Sequence, residues 1–234
     1  MQEWQKYLAE VFGTFTLVFV GATAVVGFGP GAAPFAFGIA LLAGLYAFGE
    51  ISGGHYNPAV SLALFLDRRI HAKDLGMYWF FQFVGGILGA LALLLMTSSH
   101  DVGLAATVPG RFGDRAAFFV ELFCTAIFVL VILQVTKSKA YGTTTFVAIA
   151  LTLFALHWAA VPFSGCGINP ARSFATALVG DTWTAFWIYI VAPPLGAILG
   201  WAIHTLVVKG STDVRGELEG IRGELGRGGG EAAT

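Results

Sequence analysis

Two asparagines open the same triplet in this chain, Asn57-Pro58-Ala59 and Asn169-Pro170-Ala171, 112 positions apart. Ser52-Gly53-Gly54-His55-Tyr56 precedes the first, and Ser164-Gly165-Cys166-Gly167-Ile168 precedes the second. Asn caps the first free backbone donors of a helix, and Pro suits the first helical position, where its missing N–H costs nothing. Both triplets therefore read as helix starts. The apolar runs that follow, Leu62 to Leu66 and Phe174 to Val179, are too short to cross about 30 Å of hydrocarbon. Each triplet thus opens a half-helix with its positive end at the asparagine. Two such half-helices in equivalent places of two repeats describe a membrane pore or a transporter site. The asparagine amides can also donate to something in the lumen. Two amides meeting at the centre of a pore would bind the oxygen of a passing water and turn its own donors toward the two pore ends. That arrangement, with two positive helix ends, opposes a proton wire and repels cations.

Other polar residues fall in apolar surroundings. Arg172 directly follows the second triplet, and a cation there is costly and usually functional. Glu10 and Glu121 interrupt two apolar segments and would be expensive without partners. A proton relay would need a chain of further carboxylates, which the sequence lacks. His55, His157, Cys124 and Cys166 have no matching base or metal spacing. The sequence therefore predicts no catalytic residues, no metal site and no cofactor.

The elements that must carry these residues are long and apolar. Hydrophobic residues make up 56% of the 234 and charged ones 12%, too apolar for an ordinary soluble domain. The formal net charge of −1 argues against a nucleic-acid partner. Six spans are expected, at about 4–28, 35–51, 75–96, 116–136, 143–161 and 183–208, each near the roughly 20 residues a bilayer needs. The first is full spanning length and lacks a basic start, so it reads as a membrane helix rather than a cleaved signal.

The two halves repeat. Ala9-Glu10-Val11-Phe12-Gly13-Thr14 aligns with Val120-Glu121-Leu122-Phe123-Cys124-Thr125, and Gly85-Gly86-Ile87-Leu88-Gly89 aligns with Gly196-Ala197-Ile198-Leu199-Gly200. The latter pair are small-xxx-small patterns that let helices approach closely. Three spans per repeat is an odd number, so the second half enters the membrane inverted. The half-helices then point at each other from opposite faces. Most Lys and Arg, among them Lys6, Arg68, Arg69, Lys73 and Lys137, fall on the side of the N-terminus, while Arg111 and Arg115 fall on the other. Both termini are therefore expected in the cytoplasm. The expected organisation is a channel domain over 1–210, with repeat one at about 4–97 and repeat two at about 115–209. The Gly-rich, charged tail at 211–234 reads as mostly disordered.

The paired triplets, with Arg172 after the second and six apolar segments, resemble the aquaporin (major intrinsic protein) family over nearly all of residues 3–209. The resemblance implies an all-α membrane protein of six transmembrane helices and two re-entrant half-helices. It implies a passive water channel in the plasma membrane, a homotetramer with the bilayer and water as its partners. It places Phe37, His157, Cys166 and Arg172 in a narrow filter, in which Arg and His would offer donors and Phe an apolar wall. It makes Glu10 and Glu121 acceptors for the backbone of the two re-entrant loops. Glycerol channels of the family resemble each other in having Asp after Asn-Pro-Ala-Arg and no filter His. Here Ser173 and His157 stand at those places, and Ala177, Phe186 and Trp187 also look like the water-channel subgroup.

One departure stands out. Many relatives have Gly-His-Ile-Ser-Gly before the first triplet, whereas this chain has Gly49-Glu50-Ile51-Ser52-Gly53. Glu50 is expected toward the cytoplasmic mouth, pairing with a basic residue or lining a wet vestibule. The alternative within channels is an aquaglyceroporin-like pore for glycerol, ammonia or hydrogen peroxide. A secondary transporter would need ion-coupling carboxylates at the break, where Asn57 and Asn169 are neutral. A membrane scaffold would need long outer loops or binding motifs, which are absent.

Overall fold

The computed structural model describes residues 2–137 and 144–209. The described chain is helical, and six of its helices are long and apolar enough to cross a membrane. In order the helices are α1 (Glu3–Phe28), α2 (Ala33–Ser52), α3 (Pro58–Leu66), α4 (Ala72–Leu94), α5 (Ser99–Leu104), α6 (Gly113–Val135), α7 (Thr144–Ser164), α8 (Pro170–Val179) and α9 (Trp187–Ile203). A π turn over His204–Lys209 extends α9. The expected tail at 211–234 lies outside the described residues.

Local chemistry sets the breaks. Gly53, at φ 90°, ends α2 with its N–H on the Gly49 carbonyl, a left-handed cap that glycine adopts without cost. Asn57 then caps α3 through its side chain, and Asn169 caps α8. Those two helices have 9 and 10 residues, so each rises about 14–15 Å, half the thickness of the hydrocarbon layer. The span expected from Trp183 begins instead at Trp187, because Ala185 turns the backbone to φ 47° just before it. The polar link at 97–114 contains α5, started by a capping box in which Ser98 and Asp101 satisfy each other's backbone donors.

Close helix contacts hold the frame. A Cβ at Gly85 would collide with the Val11 carbonyl, and one at Gly196 with the Leu122 carbonyl. A Cβ at Gly200 would stand 2.4 Å from the Ala126 carbonyl of α6, and one at Gly89, less tightly, 2.9 Å from the Phe15 carbonyl of α1. In lipid, where apolar surface gives no hydrophobic drive between helices, such backbone contact supplies the packing energy. The outer faces carry large exposed apolar residues, among them Phe28, Phe35, Phe80 and Trp158. A soluble monomer does not expose apolar surface on this scale, whereas a bilayer covers it.

Candidate functional site

The half-helices meet end to end. Asn57 Oδ1 accepts from Ala59 N at 2.9 Å, and its Nδ2 donates to the Ile168 carbonyl at 2.8 Å. Asn169 Oδ1 accepts from Ala171 N and Arg172 N, and its Nδ2 donates to the Tyr56 carbonyl at 2.8 Å. Each Nδ2 carries two hydrogens, and these bonds use one of them. The second on each asparagine remains available to the cavity that both residues line. Capping and lumen donation are thus compatible in one side chain.

Two buried carboxylates hold the loops that bring the asparagines together. Glu10 accepts from Ser52 Oγ (2.6 Å), His55 N (3.0 Å), Tyr56 N (2.7 Å) and Gln82 Nε2 (2.7 Å). Glu121 accepts from Ser164 Oγ (2.6 Å), Gly167 N (2.6 Å) and Ile168 N (2.5 Å). Without these acceptors the loop N–H groups would be orphaned away from water. Tyr78 and Tyr189, which sequence reasoning did not single out, each donate to a loop serine carbonyl, Ser52 and Ser164, at 2.7 Å. Their numbers differ by the same offset as Glu10 and Glu121, a signal the repeat could have given.

A cavity of about 380 Å³ runs along these groups. Phe37, His157 and Arg172 line one part, the two asparagines another, and Gly49, Ser52, Arg69 and Thr136 the part toward the end of α2. Phe37 and Gly49 stand twelve residues apart on α2, so this path spans about 18 Å. At the Phe37 end the three side chains form a stack. The Phe37 and His157 rings lie 4.9 Å apart, and the Arg172 guanidinium sits 4.8 Å from the Phe37 ring centre. A desolvated cation over an aromatic face gains on the order of 2 kcal/mol.

His157, Cys166 and Glu50 differ from the sequence expectation, and Arg172 is held in a way the sequence did not indicate. Arg172 finds no loop carbonyl: its Nη1 makes a long 3.5 Å contact to Thr176 Oγ1, one turn on along α8, and its Nε has no partner among the described residues. His157 Nδ1 lies 3.0 Å from the Leu153 carbonyl, which can only accept, so Nδ1 carries the hydrogen. The ring then carries an acceptor rather than a donor at Nε2, and that atom is buried without a partner among the described residues. Cys166 is fully buried and does not line the cavity; its Sγ faces the Leu156 carbonyl at 3.7 Å. The backbone causes this, since Cys166 and Ile168 have φ of 54° and 41°, which turns the side chain toward α7. Glu50 is exposed, makes no ion pair among the described residues and lies off the cavity lining. Arg69, also unforeseen in a site role, ties the end of α3 to α6 through Asp67 (2.7 Å), Thr136 (2.7 Å) and the Leu133 carbonyl (2.8 Å).

A cavity flanked by two facing half-helices inside six apolar helices fits a multi-pass membrane channel. The chain belongs to the major intrinsic protein family, whose model matches residues 1–204. It is 43% identical to the glycerol uptake facilitator protein-like 6 of Lactiplantibacillus plantarum, over 89% of this chain and 100% of that one. It is 36% identical to aquaporin Z of Photorhabdus laumondii, over 87% and 97%, and 38% identical to aquaporin Z of Brucella melitensis, over 83% and 94%. The fold matches the aquaglyceroporin of Plasmodium falciparum with a TM-score of 0.83 at 23% identity, covering 91% of this chain and 100% of that one. Members of this family are channels rather than enzymes.

Proposed function

We propose that this protein is a passive water channel that excludes protons and ions. It works as a homotetramer in the plasma membrane with both termini in the cytoplasm, its two repeats within residues 1–210 each supplying one half-helix. The observation that carries the reading is the pair of spare Asn57 and Asn169 amide hydrogens at the meeting point of two positive helix ends. Pro58, Ala59, Pro170 and Ala171 shape those ends. A water there accepts from both amides through its oxygen and must aim its own hydrogens away along the pore. Neighbouring waters cannot then pass a proton through the centre. Phe37, His157 and Arg172 form the filter, with Cys166 behind them. Arg172 donates to water, the His157 ring narrows the opening, and the Phe37 ring leaves no polar partner on the third side. The fixed cation repels positive ions, and an ion stripped of its shell finds too few ligands to replace it. Glu10 and Glu121 act as supports rather than relays.

A second reading is favoured by one observation, the 43% identity to a relative named for glycerol uptake. Under it the same pore passes small neutral solutes. Stopped-flow light scattering on proteoliposomes decides between the two. The water reading expects fast shrinkage under a sucrose gradient, low activation energy and little glycerol entry. Glycerol flux comparable to water flux would establish the second reading, and dependence on a sodium or proton gradient would remove both.

A further inference from the structure

Tyr56 directly precedes the first pore asparagine, yet it does not line the cavity. It is fully buried and holds φ at 48°, a left-handed conformation that a residue with a Cβ keeps only under constraint. Its neighbours supply the constraint. Its N–H donates to Glu10 Oε2 at 2.7 Å, and its phenol donates to the Gly44 carbonyl of α2 at 2.9 Å. Its ring fills a slot between α1 and α2 at their glycines. A Cβ at Gly13 would run into that ring, and one at Gly44 would stand 3.3 Å from it. Its carbonyl in turn accepts from Asn169 Nδ2 at 2.8 Å. The second repeat meets the same packing problem with other sizes. Ile168, at φ 41°, stands where Tyr56 stands, and Cys124 stands where Gly13 stands. There a smaller wedge goes with a larger wall. Ile168 also has no hydroxyl, so its side chain cannot tie its loop to a helix carbonyl as the Tyr56 phenol does.

We propose that Tyr56 is a positioning residue for the pore: wedged between Gly13 and Gly44 and tied to the Gly44 carbonyl, it fixes the carbonyl that aims the Asn169 amide. The inference rests on the channel reading above. Asn169 Nδ2 has two hydrogens and gives one to Tyr56. The direction of that bond sets the direction of the other hydrogen, which faces the lumen. A Tyr56 carbonyl free to swing would let the amide turn with it, and the central water would lose one of the two donors that hold its oxygen. The frame of the first repeat thus sets the selectivity group of the second. Gly13 and Tyr56 are also coupled in size. Neither position can grow alone, and exchanging both for the pair found in the second repeat restores the fit.

Two sets of variants of the full chain test this. Gly13→Cys should melt far below wild type in detergent or fail to fold, and Gly13→Cys with Tyr56→Ile should recover most of the loss. Wild-type melting of Gly13→Cys, or no recovery in the double variant, would overturn the wedge. Tyr56→Phe keeps the ring in its slot and removes only the bond to Gly44. It should melt close to wild type and conduct water as before. Proton entry into vesicles, followed with an internal pH dye, should rise about fivefold, the change in population that one lost hydrogen bond gives. Unchanged proton entry in Tyr56→Phe would overturn the positioning role. A collapse in its melting point would do so too, since the hydroxyl would then be purely structural. Melting is independent of flux, so a wild-type chain that conducts no water would remove the channel reading and leave the Gly13 and Tyr56 coupling standing.

Discussion

Asn57 donates to the carbonyl next to Asn169, and Asn169 donates to the carbonyl next to Asn57, both at 2.8 Å. Each asparagine is therefore fixed by the opposite repeat. Its cap bond sets where the helix begins, and the cross-bond sets which way the remaining amide hydrogen points. Replacing Asn57 with Asp removes both amide hydrogens while keeping the capping oxygen. Water flow should fall and cation leak should rise, measured by stopped-flow scattering and by vesicle conductance. Unchanged ion exclusion in a folded Asn57→Asp protein would separate the amides from selectivity.

Arg172 and His157 should control solute size and charge. Replacing both with small neutral residues removes a buried cation and one ring of the stack. Water flow should persist while glycerol or urea entry rises and some proton leak appears. Equal exclusion of glycerol and urea by the folded double variant would show that the filter lies elsewhere.

Glu121→Gln should destabilise the second re-entrant loop. The amide has one accepting oxygen, so its NH2 must face Ser164 Oγ or a backbone N–H of Gly167 or Ile168. Each orphaned backbone donor costs about 1–3 kcal/mol. Thermal unfolding in detergent should drop accordingly, and no drop would mean that the loop finds other acceptors.

Gly196→Ala should be worse than an ordinary surface change. Its new methyl would meet the Leu122 carbonyl, and Thr125 Cβ stands 2.8 Å away, so neither neighbour can swing aside. Overpacking of this kind costs about 1–3 kcal/mol and occasionally more. Reduced yield and a lowered melting point are expected, with Gly27→Ala, in open space, as the control.

Mercuric ion should block water flow slowly, because the Cys166 thiol is buried behind the filter. The block should reverse with a reducing thiol and be absent in Cys166→Ser. Immediate block that survives in that variant would place the sensitive site at Cys124.

Much of this architecture is legible in the chain because the physics is local or repeated. Asn-Pro gives the half-helix starts without any partner. Gly85 and Gly196 announce close contact because they recur with their neighbours. What could not be foreseen depends on side-chain direction in irregular backbone. Cys166 turns away from the lumen through a left-handed φ that no residue type dictates, and Arg172 chooses an aromatic face over a loop carbonyl. Gln82 was invisible for a different reason: its repeat partner is Pro193, so no recurrence marks it.

The cross-bonds also set an order of events during synthesis. Glu10 emerges before the first loop, and Gln82 soon after it, so the carboxylate side of that loop can settle early. The Ile168 carbonyl that fixes Asn57 is made 111 residues later. At roughly 5–20 residues per second, that is a wait of about 5–20 s. During that interval the first half-helix sits in the membrane with its tip unanchored. The pore is therefore a late product of assembly, closed only when the second loop arrives to grip the first.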